Sequence, residues 1–490
     1  MVSPALGNEP QSSSEPSAQP GTSKVALAAK ISLVVVLVAE LMNVLDHSVV
    51  LNAIPTLQAS LGATPAQVQW LTAGYGLALA LGLVTGGRLG DTYGRRRVFL
   101  MGTTVFTTAS LLCGLAMGPG MLIGARVLQG AGAAVMIPQV LATLHVTFDG
   151  EHRSRAFSLY GAVLTVGSVL GPVLGGVLTG ADLFGLGWRT IFLINLPIGL
   201  AVLLGGWKFI TESTAPKAER LDLTGVLLSA LAVVLIVFPL TEGHAHRWPL
   251  WCFAMLAAGL VVLGIFLRQQ QRRQHDAPLV VLALFRDKAF SGGLSAQMTF
   301  GLLSGMFFIT WTLFLQRGLG MSPLHASLAF VLLTVGEMAG VLITMKTAGR
   351  YGRRLPQAGA LIALVATAAY GLQISSGQAD LALLEMALPL LLLGLAFGTI
   401  GGPLADLSLS KVAHENAGSA SGLFNTSIHL GMALGTALTA LVFFSATGGS
   451  SDAAVNRDAF THVLWWVGAA FAAMWALMFL LPARTSSQTG

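Results

Sequence analysis

Glu40, Asn43, Asp46 and His47 interrupt the first long apolar stretch of this 490-residue chain. At 100° per residue the four fall within an arc of about 120°, so one face of a single helix carries them all. An ionised carboxylate in hydrocarbon costs at least ~2.5 kcal/mol, so that face looks onto a watery cavity or a protein partner. A carboxyl withdrawn from water is also one that can load and release a proton in the physiological range. Asp46 and Glu40 are therefore candidates for proton or cation coupling, with a structural hydrogen bond as the alternative for Glu40. His47 is expected to hydrogen-bond its helix neighbours. Arg126 lies in another apolar run, and its guanidinium cannot lose its proton, so it requires carboxylates or helix carbonyls. Glu337 sits mid-way along VLLTVGEMAG with few polar neighbours, and is the candidate for a second proton site or for pairing with a cationic substrate. A purely structural role is the alternative for both. Glu385 and Asp406 lie nearer helix ends, where water satisfies them.

These groups need a scaffold, and composition names its class. Hydrophobic residues make up 54% of the chain and charged ones only 10%, with 58 glycines. A soluble chain carries about a quarter charged residues, and the mean hydropathy of +0.75 points the same way. The fold class is an all-α polytopic membrane protein. Fourteen apolar runs long enough to span, from one near residue 38 to one near residue 471, follow from a span of roughly 20 residues. With both termini cytoplasmic, Arg126 falls within a span and Arg189, Arg247, Arg317 and Arg457 fall outside. The remaining 22 of the 27 Lys and Arg lie on the cytoplasmic side. That bias supports both the span count and the orientation, and it explains a net charge of +6 without nucleic acid. Cys113 and Cys252 fall inside apolar runs, which gives no disulfide framework and no metal site. His244 and His246 lack a third ligand nearby and read as solvated.

The chain also repeats itself. Tyr93-Gly94-Arg95-Arg96 recurs as Tyr351-Gly352-Arg353-Arg354, and Ala156, Leu159, Gly167 and Gly171 recur as Ala420, Leu423, Gly431 and Gly435. The two offsets nearly agree, which predicts two six-helix halves with two inserted helices between them. The expected divisions are a disordered cytoplasmic tail 1–23, a first bundle 24–212, an inserted pair 213–270, a linker 271–288, a second bundle 289–483 and a tail 484–490.

Four stretches carry a resemblance. They are GGRLGDTYGRRRVFL (Gly86–Leu100), RVLQGAGAA (Arg126–Ala134), GAVLTVGSVLGPVLGG (Gly161–Gly176) and LDHSVVLNAIP (Leu45–Pro55). Together they resemble the major facilitator superfamily, and in particular its fourteen-span drug:H+ antiporters. The last stretch departs from the family pattern at Ser48 and at Leu51-Asn52. The resemblance implies a proton-coupled antiporter that exports drug-like or amphiphilic small molecules, with cations among the candidates, by alternating access and so confers resistance. It places Arg126 in the proton path, facing Asp46 or Glu40. It makes Gly87, Gly90, Asp91, Gly94, Arg95 and Arg96 a cytoplasmic gate motif, and Asp91 a latch that bridges to arginines or to the facing half. It makes Gly167, Gly171, Pro172, Gly175 and Gly176 an antiporter motif that bends and seals the fifth helix. Independently of the family, the four-residue glycine spacing gives a smooth helical face for close packing, and Pro172 removes a donor.

Aromatic and methionine-rich MTFGLLSGMFFITWTLFLQ suits varied apolar substrates. Weak candidates for the substrate cavity are Trp70, Tyr75, Gln129, Phe307, Trp311 and Asn425. No ATP-binding signature appears, so no cofactor is expected and the proton gradient is the drive. The expected setting is a bacterial-type plasma membrane, with a small molecule and protons as partners and the monomer as the working unit. A dedicated exporter of one metabolite or self-made antibiotic is the rival reading. A membrane-embedded enzyme or receptor finds no Ser/His/Asp set, metal-ligand cluster or phosphate cradle to support it.

Overall fold

A computed structural model describes residues 20–214, 222–243, 246–274, 278–376, 383–412, 417–448, 450 and 452–483. The expected solvated His244 and the tail 484–490 lie outside them, as do residues 1–19. Among the described residues there is no strand, and fourteen helices are long and apolar enough to cross a membrane. They are α1 (Pro20–Leu61), α2 (Pro65–Tyr93), α3 (Arg95–Gly114), α4 (Pro119–Thr147), α5 (Gly150–Gly180), α6 (Gly187–Phe209) and α7 (Leu223–Glu242). There follow α8 (Leu250–Arg272), α9 (Lys288–Gly318), α10 (Pro323–Tyr351), α11 (Arg354–Ser375), α12 (Leu383–Leu409), α13 (Ala417–Thr439) and α14 (Ala453–Leu477). Starting α1 at Pro20 corrects the tail expected to run to residue 23. Proline suits a first helical turn, where its missing N–H is unneeded.

Helix ends follow local chemistry. Thr64 and Gln67 form a reciprocal capping box ahead of α2, at 3.2 and 2.9 Å. Ser322 caps α10, with Pro323 at its first position. Gly94 divides α2 from α3 at φ 105°, and Gly352 divides α10 from α11 at φ 52°. Only glycine adopts such angles freely, which is why the motif echo centres on this residue.

The echo extends to packing. α1 lies against α4, α5 and α6, α2 against α4, and α3 against α4 and α6. Eight helices later the same pairs recur: α9 against α12, α13 and α14, α10 against α12, and α11 against α12 and α14. Even a loop bond repeats. Arg95 N–H donates to the Ser213 carbonyl after α6, and Arg353 N–H to the Ala483 carbonyl after α14, at 2.9 and 3.1 Å. Phe99, Phe106 and Met136 centre the core of the first group, and Trp311, Phe314, Tyr370 and Phe460 that of the second.

The groups α1–α6 and α9–α14 meet along two seams, α2 with α13 and α5 with α10, while α1 touches α9. The pair α7–α8 is peripheral. α7 leans on α2 and α13, with Phe238 5.9 Å from the Trp70 ring, whereas only 17% of the most apolar stretch of α8 is covered by protein. Asp222 ties the base of this pair together. It caps α7 through Gly225 N–H and accepts from Gln269, Gln270 and Arg273 of α8 and its end. Gln270 and Gln274 then hold the backbone at Val280 and Leu282, so the linker to α9 is anchored to the same knot.

Candidate coupling site and the seam between the groups

Asp46 and Arg126 form an ion pair with almost no solvent contact, side chains 0% and 1% exposed. One guanidinium nitrogen, Nη1, donates to Asp46 Oδ2 at 2.5 Å and to Gln129 Oε1 at 2.8 Å. The other carboxylate oxygen accepts from Gln129 Nε2 at 2.8 Å and Asn195 Nδ2 at 2.7 Å. Three donors from α4 and α6 thus converge on one carboxylate of α1. Arg126 also lies over the Tyr75 ring, 4.2 Å from its centroid, and donates through Nε to the Leu71 carbonyl at 3.3 Å. A charge so far from water is tolerated only because it is paired and bonded at once. The Nη2 atom nevertheless has no partner.

From this pair a polar thread runs along α1. Tyr75 OH donates to Asn43 Oδ1 at 2.6 Å, and Asn43 Nδ2 reaches Glu40 Oε1 at 3.4 Å. Glu40 Oε2 is buried with no donor facing it. Six residues of helix separate Glu40 from Asp46, about 9 Å at the usual rise. The thread therefore runs from Asp46 back to the middle of α1, in the direction of the end that carries the Gly86–Leu100 loop. His47 lies off it. It makes no hydrogen bond to its helix neighbours, contrary to expectation, and its ring stands 5.5 Å from Tyr75 with Nδ1 unpartnered. The reason is its direction: it points between the groups, into a cavity of about 30 Å³ shared with His429, Ser304 and Phe308.

Glu337 is placed where α10 and α12 cross backbone against backbone, with Gly394 and Gly398 against its own main chain. Its carboxyl has no hydrogen bond among the described residues. It belongs to the other helix group from Asp46 and is absent from the lining of the cavity that holds His47.

The glycines of α5 each have an identifiable neighbour. Gly167, Gly171 and Gly175 lie against Val44, Ser48 and the Val49 carbonyl of α1, and Gly176 lies against Ser327 and Pro323 of α10. The Pro172 carbonyl accepts from both Asn52 Nδ2 and Ser327 Oγ. Gln316 donates to the Asn52 carbonyl at 3.0 Å and Arg317 to Gln58 Oε1 at 2.6 Å. These bonds close the seam at the end away from the Gly86–Leu100 loop. Near the middle of α2, Thr426 Oγ1 donates to the Ala80 carbonyl at 3.3 Å.

Of the two bridges expected of Asp91, to arginines or to the facing half, the loop motif forms the first. Asp91 pairs with Arg95 one turn on, at 2.9 Å, and stays within its own group. That i,i+4 geometry satisfies it locally. Arg88 makes the longer reach, to the Pro278 carbonyl at 2.7 Å. Glu212 lies against Gly94, accepts from Arg96 N–H at 3.0 Å and sits at the α3 N-terminus, where a negative charge is favoured. Gly90 lies against Gln139, which donates to the Gly86 carbonyl; Gly87 faces Pro138.

Four cavity candidates are displaced. Phe307 and Trp311 are buried in the second core, stacked 5.3 Å apart with the indole N–H on Tyr370. Gln129 is a ligand of Asp46, and Trp70 packs on α7. In each case a partner inside the protein outcompetes the cavity. Tyr75 belongs to the polar thread, and Asn425 is exposed on α13. Sequence reasoning missed Asn195, Ser110 and Glu212. Ser110 accepts from Asn195 at 3.0 Å and so aims it at Asp46. An asparagine beginning an apolar run was the one available signal for Asn195.

The sequence profile of the Major Facilitator Superfamily matches residues 36–436. A probable actinorhodin transporter of Streptomyces coelicolor is 38% identical over 432 residues, 87% of this chain and 75% of that protein. The tetracenomycin C resistance and export protein of Streptomyces glaucescens is 33% identical over 421 residues, covering 85% and 76%. A cephamycin export protein of Amycolatopsis lactamdurans is 36% identical over 454 residues, covering 90% and 91%. Among solved structures, a bacterial homolog of the human lysosomal transporter Spinster, inward-facing and occupied, aligns with TM-score 0.67 at 17% identity over 95% of this chain and 97% of that one. With that profile match and relatives of this identity, the chain is a multi-pass membrane transporter that belongs to the major facilitator superfamily, in its drug-efflux family.

Proposed function

We propose that the chain is a secondary antiporter that exports drug-like small molecules across the plasma membrane in exchange for protons, acting as a monomer with both termini cytoplasmic. The carrying observation is the buried Asp46–Arg126 pair with its thread through Tyr75 and Asn43 to Glu40. A proton on Asp46 would neutralise the carboxylate that holds Arg126, and the guanidinium would then seek the Tyr75 face and its carbonyl partner. That local repacking joins α1, α2, α4 and α6, so a proton changes how the first group is held together. Glu40, with one oxygen facing no donor, is the relay towards the loop end. Glu337 is the second-group carboxyl available for a further proton.

Alternating access then needs the far-end seam at Asn52, Pro172 and Ser327 to open as the loop end closes. Relatives named for actinorhodin, tetracenomycin C and cephamycin support export of a single self-made antibiotic as the second reading. A susceptibility panel in a host lacking its own efflux pumps tests both. Resistance to several unrelated compounds that a proton uncoupler abolishes is the expected result, and resistance to one compound alone favours the dedicated exporter. Uncoupler-insensitive resistance contradicts proton exchange.

A further inference from the structure

His47 of α1 and His429 of α13 belong to opposite groups and line the same cavity where those groups meet. Each ring has a buried Nδ1 with no hydrogen-bond partner. Polar atoms left so in a protein interior are uncommon, and two facing one cavity need an explanation. The remaining lining is apolar or hydroxylic, with Phe308, Thr72, Ser304 and Thr436 among it. Thr72 and Ser304 spend their hydroxyl protons on their own helices, at the Gln69 and Phe300 carbonyls. Among the described residues lining the cavity there is no Asp, Glu, Lys or Arg. Asp46 and Arg126 do not line it and are paired with each other. The cavity therefore offers two imidazoles and a ring face, and nothing to neutralise a cation.

We infer that His47 and His429 form the substrate's polar clamp, and that the substrate class is a planar aromatic bearing hydroxyl or carbonyl groups rather than a cation. This rests on the export reading and names the substrate of that same site. A neutral imidazole carries one donor and one acceptor nitrogen, so the pair can take a phenolic O–H and its neighbouring carbonyl together. Phe308 supplies the face for the ring system. At about 30 Å³ the cavity holds a single water, so the ligand enters when the groups part.

The test measures binding of three probes to the purified full chain in lipid nanodiscs, then their uptake into proteoliposomes under an imposed pH gradient. The probes are 1,8-dihydroxyanthraquinone, its 1,8-dimethoxy ether and ethidium. The unmodified protein should bind the dihydroxy compound about tenfold tighter than either other probe, as expected for loss of a hydrogen bond to a buried partner. His47→Phe and His429→Phe should each erase that preference, and His429→Gln should restore part of it. Equal binding of all three probes, or a preference that survives both Phe variants, overturns the inference. Uptake without any such preference sinks the clamp and leaves export standing; the preference without gradient-driven uptake of any probe sinks export and leaves the clamp standing.

Discussion

Asn52 of α1 and Ser327 of α10 donate to one acceptor, the Pro172 carbonyl, at 2.8 and 2.9 Å, and Asn52 also donates to Ser327 at 2.9 Å. Three helices from both groups are thus joined at a single oxygen of the glycine-proline stretch. Asn52 is where the chain departs from the family's helix 1 pattern, and here the departure supplies the donor.

Replacing Asn52 with Ala removes two of these bonds. At about 1 kcal/mol each, the far end should shift toward its open form by roughly fivefold or more. Spin labels at Ala59 and Leu324, both exposed on either side of that seam, report it by pulsed electron resonance. A longer-distance population should grow in Asn52→Ala and in Ser327→Ala. Unchanged distances in both variants would remove the seam from gating.

The α5 glycines make unequal demands. A methyl at Gly175 meets the Val49 backbone carbonyl, which cannot move alone, whereas at Gly180 it meets open space. Gly175→Ala should lower the melting temperature in detergent by several degrees and Gly180→Ala by little. Overpacking of this kind costs about 1–3 kcal/mol. Equal effects would show that α1 and α5 are not held by this close approach.

Asp222 lies just outside the membrane-spanning part of α7. Burial pushes its carboxyl up, but Gly225 N–H, Gln270, Gln269 and the Arg273 guanidinium outweigh burial and hold it below its ordinary 3.8. A depressed folded value means its stabilisation is complete above pH about 4 and is lost as pH falls through the lower folded value. Thermal unfolding between pH 5 and 3 should show this loss in the unmodified protein and a shallower pH dependence in Asp222→Asn. Identical profiles would mean the knot at the base of α7 and α8 is not an acid-sensitive anchor.

How much of this was legible in the sequence depends on the kind of residue. Charges in apolar runs had few places to go, so Asp46, Glu40 and Arg126 were readable, and Arg126 does meet Asp46. The repeat was readable because Gly94 and Gly352 serve a backbone angle that tolerates little else. Asn195 and Ser110 were not, since uncharged polar residues are common in spans and only geometry shows which one a carboxylate selects. Phe307 and Trp311 were misplaced because composition does not say which face of α9 turns inward. For Asp91 the arginine partner was readable, since Arg95 stands one turn away, but the sequence did not decide between it and the facing half. Glu212 stands far along the chain from the loop it stabilises, and no local pattern marks it.

Asp46 and Arg126 should also behave as a unit in stability. Asp46→Asn and Arg126→Gln each strand a buried partner, and breaking such a pair by one member costs about 3–5 kcal/mol. The double variant, which strands neither charge, should melt above the sum of the single losses. Simple additivity would show that the two do not stabilise each other.

The most direct measurement is made in proteoliposomes loaded with a fluorescent dye, comparing the unmodified chain with Asp46→Asn under an imposed pH gradient and under dye exchange with no gradient. Proton coupling through Asp46 predicts that the variant keeps gradient-free exchange and loses accumulation driven by pH. Gradient-driven accumulation equal to that of the unmodified chain would contradict it.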